Sequence, residues 1–123
     1  MTSVWPPALG VISMTYTRPF TAADFPLFAR MRAAGMAFCE LLVPEEEELD
    51  PAEAGKAARE AGLFLLLAAR VNLQRDLASD DPDARAGSLA YLRRCVDVAR
   101  ACGAELVGGP LYGTPLVFAG RPP

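Results

Sequence analysis

The segment L-F-L-L-L-A-A at residues 63–69, set between Gly62 and Arg70, decides the fold. A strand with one wet face alternates apolar and polar residues. An unbroken apolar run bounded by turn signals belongs to a parallel sheet covered by helices. The run is the longest in the chain and far short of the roughly 20 residues that a membrane span needs.

Working outward, the pattern repeats on both sides. Upstream, M-A-F-C-E-L-L-V (residues 36–43) reads as a strand broken by one charge, Glu40. Between the two strands, Asp50, Pro51 and Glu53 form a capping-box start to a helix that Gly62 ends. Further upstream, A-L-G-V-I-S-M (residues 8–14) is a first strand, followed by a loop over residues 15–20. The next helix is capped by Thr21 or Asp24 and stopped by Gly35; Pro26 must sit near its start, which favours Asp24.

Downstream, a loop of about 12 residues (70–81) leads to a long helix capped by Ser79 or Asp81, with Pro82 in its first turn. Leu89, Leu92, Val96 and Ala99 give it an apolar stripe at helical spacing. Gly103 stops it, and A-E-L-V (residues 104–107) is a fourth strand running into Gly108 and Gly109. The order strand–helix repeats with a period near ~30 residues, which calls for parallel strands joined by right-handed crossovers. An α/β fold follows, either an open doubly wound sheet or the first half, about four strands, of a TIM-like barrel.

Composition narrows the function classes. At 123 residues, 52% of them apolar, the chain suffices for one domain, residues 1–123. A complete eight-stranded barrel takes about 250 residues, so a barrel is here by half. The net charge of −3 and scattered basic residues exclude a nucleic-acid footprint. Of the 12 basic residues only Lys56 is lysine, which reads as coding bias. Three cysteines without CxxC spacing give neither a disulfide framework nor a zinc knuckle. Cys95 and Cys102, seven apart on one helix, read as small core residues rather than reactive thiols. The N-terminus lacks the basic and apolar regions of a signal peptide, so the expectation is a cytoplasmic protein with no membrane contact.

From the third helix onward the sequence becomes specific. Residues 76–85, Asp-Leu-Ala-Ser-Asp-Asp-Pro-Asp-Ala-Arg, resemble the "(N/D)L-x-S-x-D-P-x-x-R" segment of the ketose 3-epimerase group, the D-tagatose and D-psicose 3-epimerases. Gly109-Pro110-Leu111-Tyr112 resembles that group's "GGPLY" segment, and residues 35–40 more weakly its "G-(F/A)-x-x-x-E" second strand. The group belongs to the xylose-isomerase-like sugar phosphate isomerases and epimerases. The resemblance covers residues 9–112 or so and implies the N-terminal half of a TIM-like barrel. It also implies a complete enzyme that uses Mn²⁺ or Mg²⁺, with two glutamates moving a proton beside a sugar carbonyl. Those groups and the metal ligands belong to strands five to eight, so this chain is expected to hold no catalytic residue and no metal. A chain without histidine fits that expectation.

What the resemblance leaves to this half is part of the substrate-binding wall: Tyr16, Glu40, Ala68, Gly109, Pro110 and Leu111, taking a small sugar or sugar phosphate. Each also has a plainer reading. Glu40 is a charge in an apolar strand, which must be hydrogen-bonded or wet. Gly108 and Gly109 serve equally as a strand-ending turn. The run Glu45-Glu46-Glu47-Glu48 offers oxygen ligands for a hard cation, although adjacent loop residues rarely converge on one ion, and a solvated loop is favoured. Arg70, Asn72, Gln74 and Arg75 populate the third loop without discriminating a ligand.

Four strands of a barrel have two unpaired edges and a bare inner face, which template association. Three readings compete: the front portion of an isomerase or epimerase, inactive alone; a half-barrel that self-associates and binds a sugar without turning it over; and a small open flavodoxin-like sheet. The last is disfavoured because the loop after the first strand carries no glycine. The partner expected is a second copy or a complementary half-barrel.

Overall fold

The computed structural model of the protein describes residues 8–117, so the N-terminal stretch before Ala8 and the apolar tail from Phe118 lie outside the described residues. Among these, four strands form one sheet in the order β1 (Gly10–Ile12), β2 (Phe38–Leu42), β3 (Phe64–Ala68) and β4 (Val107–Gly108). All three pairings are parallel, and sequence neighbours are sheet neighbours. The helices α1 (Pro26–Ala33), α2 (Pro51–Glu60) and α3 (Pro82–Cys102) make the crossovers. This winding in one direction is that of a barrel wall; a doubly wound sheet would reverse its strand order part-way.

The register explains where the core sits. Gly10, Phe38 and Phe64 align, as do Ile12, Glu40 and Leu66, and on the next layer Leu42, Ala68 and Gly108. Alternation sends the residues between them, Cys39, Leu41, Leu65 and Leu67, to the other face, where they are buried under the helices. Phe28 and Met31 of α1, Ala54 and Ala58 of α2, and Tyr91, Cys95 and Cys102 of α3 complete that layer. All three cysteines are free and buried in it. The inner face is bare: Phe64 is 76% exposed and Leu106 51%.

Local chemistry sets the helix ends. Asp50 accepts from the N–H groups of Ala52 and Glu53, and Asp81 from that of Asp83. Gly35, Gly62 and Gly103 end the three helices with φ of +91°, +79° and +75°, the left-handed region that glycine enters freely. Three expectations need correction. Asp24 is not the cap of α1: it closes a 3₁₀ turn (Ala22–Asp24) from within, its carboxylate accepting from the N–H and hydroxyl of Thr21. The fourth strand begins at Val107 rather than 104, because the Ala104 N–H still donates to Ala99 and completes the end of α3. The α3 stripe is also displaced. Its sheet-facing side is Ala84, Ser88, Tyr91, Cys95, Val98 and Cys102, whereas Leu89 and Val96 are half exposed. Only Ala99 of the expected stripe is buried. The other three lie on the flank of α3 that turns away from α2.

Candidate functional site

In β/α barrels ligands meet the loops at the C-terminal ends of the strands. At that end a cavity of about 410 Å³ opens on the inner face. Glu40, Ala68, Gly109 and Pro110 line it, together with Ile12, Arg18 and Arg70. Four of the six expected wall residues are therefore brought together. Tyr16 and Leu111 are not: Tyr16 follows the 3₁₀ turn Ser13–Thr15 and is 40% exposed outside the cavity, and Leu111 packs partly against the core. A larger cavity, about 640 Å³, lies at the opposite end, where Phe38 and Phe64 form the floor of the sheet. It lies far from the strand ends that carry chemistry in this architecture, so the smaller cavity is the candidate site.

Within it, Glu40 stands on the middle layer between Ile12 and Leu66. Glu40 is half-buried on the inner face, and among the described residues its carboxylate has no hydrogen-bond partner. Ala68 ends β3 on the layer above. Gly109 has φ +109°, and a Cβ there would stand 3.0 Å from the Ala69 nitrogen and 3.1 Å from its oxygen. Only glycine lets the chain turn this tightly against the end of β3. The turn and the cavity wall are thus one feature.

The loops around the cavity are braced from behind by an ion-pair network. Arg70 contacts Glu48 at 2.6 Å, Arg75 contacts Glu45 at 2.7 Å, and Arg94 of α3 donates to the Pro44 carbonyl at 2.6 Å. Arg75 also donates to the Arg70 carbonyl and lies 3.8 Å from the centroid of the Tyr91 ring. The Tyr91 hydroxyl accepts from the Arg70 N–H at 2.6 Å. The hydrogen bond from Arg75, aided by the nearby guanidinium charges, holds the Glu45 carboxyl below the usual range. Burial pushes Glu48 upward, but the Glu45 N–H and Arg70 outweigh it and the net direction is down. The solvated-loop reading of the acidic run therefore holds for exposed Glu46 and Glu47 and fails for Glu45 and Glu48. Arg70 and Arg75, open candidates for ligand contact, have their guanidinium groups occupied by these carboxylates. Asn72 accepts from the Gln74 N–H, a turn contact.

The segment that carries the strongest resemblance is a self-braced turn. Ser79 accepts from the Asp81 N–H, Arg85 donates to the Ser79 carbonyl, and Asp81 caps α3. Buried Asp76 reaches the other way: its carboxylate accepts from the Thr114 N–H and hydroxyl, at 2.8 and 2.6 Å, and from the Ala78 N–H. The Thr114 hydroxyl first, then the two N–H groups, lower its pKa. Asp76 thus ties the loop after β3 to the loop after β4, the two walls that carry Ala68, Gly109 and Pro110. In the sequence Asp76 stands out only as part of a motif, and Tyr91 does not stand out at all. Asp76 was findable as an acid beside a strand end; Tyr91, one aromatic in a long helix, gave no signal.

Among the described residues no three His, Cys, Asp or Glu side chains converge as a metal site. The donors present do not fit the divalent ion that the resemblance implies for a whole enzyme, and no chemical step is assigned to one here. No described helix is long and apolar enough to cross a membrane.

A parallel β/α wall with a cavity at its C-terminal strand ends is part of a TIM-like barrel. Comparison with solved structures specifies which barrels. The L-ribulose 3-epimerase structure matches 94% of this chain with a TM-score of 0.84 at 19% identity. D-allulose 3-epimerase from Methylomonas sp. matches 94% at 0.82 and 23%, and D-psicose 3-epimerase from Clostridium cellulolyticum H10 matches 93% at 0.75 and 18%. The fold is that of the N-terminal half of these sugar epimerase barrels. The chain spans 39–41% of the length of those structures. No family model and no curated protein matches the chain.

Proposed function

We propose that this chain supplies one wall of the sugar site of a metal-dependent, ketose 3-epimerase-like enzyme, with the acid–base and metal-binding groups outside these residues. One observation carries the reading. The only carboxylate on the inner face of the described strands, Glu40, stands at the cavity that Ala68, Gly109 and Pro110 enclose, at the strand ends where such barrels bind ligands. A carboxylate without a protein partner is an acceptor for sugar hydroxyls, and the close-set glycine turn lets a flat ligand lie against backbone. Tyr16 and Leu111 stay in the proposal as residues that reach the ligand only if their loops move.

The neighbours' names point to ketoses such as D-allulose, L-ribulose and D-tagatose. Titration calorimetry with D-allulose and D-fructose tests the reading, with Glu40→Gln expected to weaken binding by roughly tenfold, the size of one charge-assisted hydrogen bond. The chain alone, with added Mn²⁺, is expected to convert neither sugar. Turnover above background would place catalytic groups inside it and refute the proposal. A cytoplasmic setting suits three unpaired buried thiols.

A further inference from the structure

The loop after β4 forms one side of the candidate cavity, through Gly109, Pro110 and Pro115. Leu111 packs partly against the core, so the near part of this loop is held by contact. Among the described residues, every hydrogen bond that leaves residues 109–117 ends on one side chain, the Asp76 carboxylate. The other bonds of the segment are internal: the Leu111 N–H donates to the Gly109 carbonyl, and the Val117 N–H to the Thr114 carbonyl.

Asp76 is the fixed end of this tie. It is 7% exposed, its N–H donates to the Ala84 carbonyl in the first turn of α3, and its carbonyl accepts from the Ser79 N–H. Its two carboxylate oxygens face different ways. Oδ1 accepts from the Ala78 N–H at 2.8 Å, and Oδ2 from the Thr114 N–H and hydroxyl at 2.8 and 2.6 Å. The Thr114 end is the loose one. Residues 114–117 form a turn with Pro115 second and Leu116 third, and Leu116 has φ +65°. Proline fixes its own φ negative, and a turn with positive φ at the third position favours glycine there. The Leu116 side chain is 90% exposed, so packing does not offset the strained backbone. A turn that disfavours its own shape stays against the cavity only while a neighbour holds it.

We infer that Asp76 is a positioning residue for the ketose site: through Thr114 it holds the Pro115 turn in place as a wall of the cavity, and without this tie the wall loosens and ligand affinity falls. The inference rests on the ketose-binding reading and adds to it a residue that does not line the cavity. The tie needs a carboxylate. Asparagine has one acceptor oxygen, which can face Ala78 or Thr114 but not both.

The test uses the full chain, followed by NMR with and without D-allulose. Without sugar, the amides of Gly113, Thr114 and Leu116 should have order parameters near those of β3, about 0.85, and fall below about 0.6 in Asp76→Asn and Thr114→Val. Thr114→Ser keeps the hydroxyl and should keep the order. In shift titrations of folded protein, Asp76→Asn and Thr114→Val should each weaken D-allulose binding roughly fivefold, and Thr114→Ser less than about twofold. A role confined to stability would leave the affinity of the folded molecules unmoved. If Asp76→Asn does not fold, Thr114→Val, which loses one hydroxyl from a half-buried position, decides the outcome alone. Unchanged order at residues 113–116 in Thr114→Val would overturn the inference. So would a loosened turn with unaltered D-allulose affinity, and in that case the ketose reading, tested by Glu40→Gln, still stands. No D-allulose response from the unaltered chain would refute the ketose reading itself and the positioning role with it.

Discussion

Replacing Tyr91 by Phe probes how α3 holds the cavity. Tyr91 is 6% exposed, and its hydroxyl is the acceptor for the Arg70 N–H at 2.6 Å. Burial raises its pKa to about 12, so the group is a neutral phenol throughout the working pH range. Phe keeps the ring in the core and under the Arg75 guanidinium, so only the hydroxyl is lost. The Arg70 N–H is then left without a partner in a part-buried position, at a cost of about 1–3 kcal/mol. In a domain of this size that lowers Tm by roughly 4–10 °C. Urea unfolding should show the midpoint fall at constant slope. Hydrogen exchange should show the Arg70 amide losing protection beyond the global change. Tyr91→Leu, which also removes the ring beneath Arg75, should cost more than Tyr91→Phe. Because Ala69, Arg70 and Val71 line the cavity, ketose affinity should fall in Tyr91→Phe even under conditions where the protein is fully folded. A stability change under about 0.3 kcal/mol with unaltered protection at Arg70 would refute the assignment of this hydroxyl as the anchor of the third loop.

Two further outcomes follow from the packing and the charges. Gly55→Ala gains about 1 kcal/mol of helix propensity, but the new Cβ would lie well inside contact distance of the Cys102 carbonyl oxygen, backbone that cannot rotate away. Overpacking of about 1–3 kcal/mol should win, so calorimetry should show a lower Tm, and a rise would refute the close α2–α3 approach. The Glu45 carboxyl is lowered by Arg75 and that of Glu48 by the Glu45 N–H and Arg70, so the unfolded chain takes up protons at a higher pH than the folded one. Their contribution is therefore full above the ordinary range near ~4.3 and lost as pH falls through the lowered folded values. Glu48→Gln should flatten the acid limb of a stability–pH curve, and an unchanged limb would count against the network.

Much of the fold was legible because its signals are local. The glycine stops at Gly35, Gly62 and Gly103, the Asp50 and Asp81 caps and the apolar run around β3 each depend on a few neighbouring residues. The misplaced stripe of α3 shows where local signals end. A helix in a barrel wall has a sheet-facing side and a flank toward the next helix, both at spacing three and four. Here the buried side holds Ala84, Ser88 and two cysteines, while the flank holds the leucines and valine. Hydrophobicity alone ranks the flank first. The brace behind the cavity was invisible for a different reason: Glu45 finds Arg75 and Arg94 across 30 and 49 positions, pairs that only the folded sheet brings together. In the candidate site, Glu40, Ala68, Gly109 and Pro110 were legible because strand ends converge, whereas Tyr16 and Leu111 sit on loops whose path the residue pattern does not specify.

The division between the two faces of the sheet has a consequence for binding. Folding of these residues rests on the outer layer, where the buried side chains of β2 and β3 meet the helices. The cavity sits on the other face, bounded on one side by Glu40 and the glycine turn and open on the other. An open cavity leaves the Glu40 carboxylate in contact with water, where a hydrogen bond to a sugar replaces one to solvent and is worth only about 1.5 kcal/mol net. Closing the face would exclude that water and raise the value of each polar contact in the lower local dielectric. Ketose affinity should therefore depend on closure of the inner face far more than stability does: weak for these residues alone, and tightened when further β/α units cover Phe64, Leu66 and Leu106.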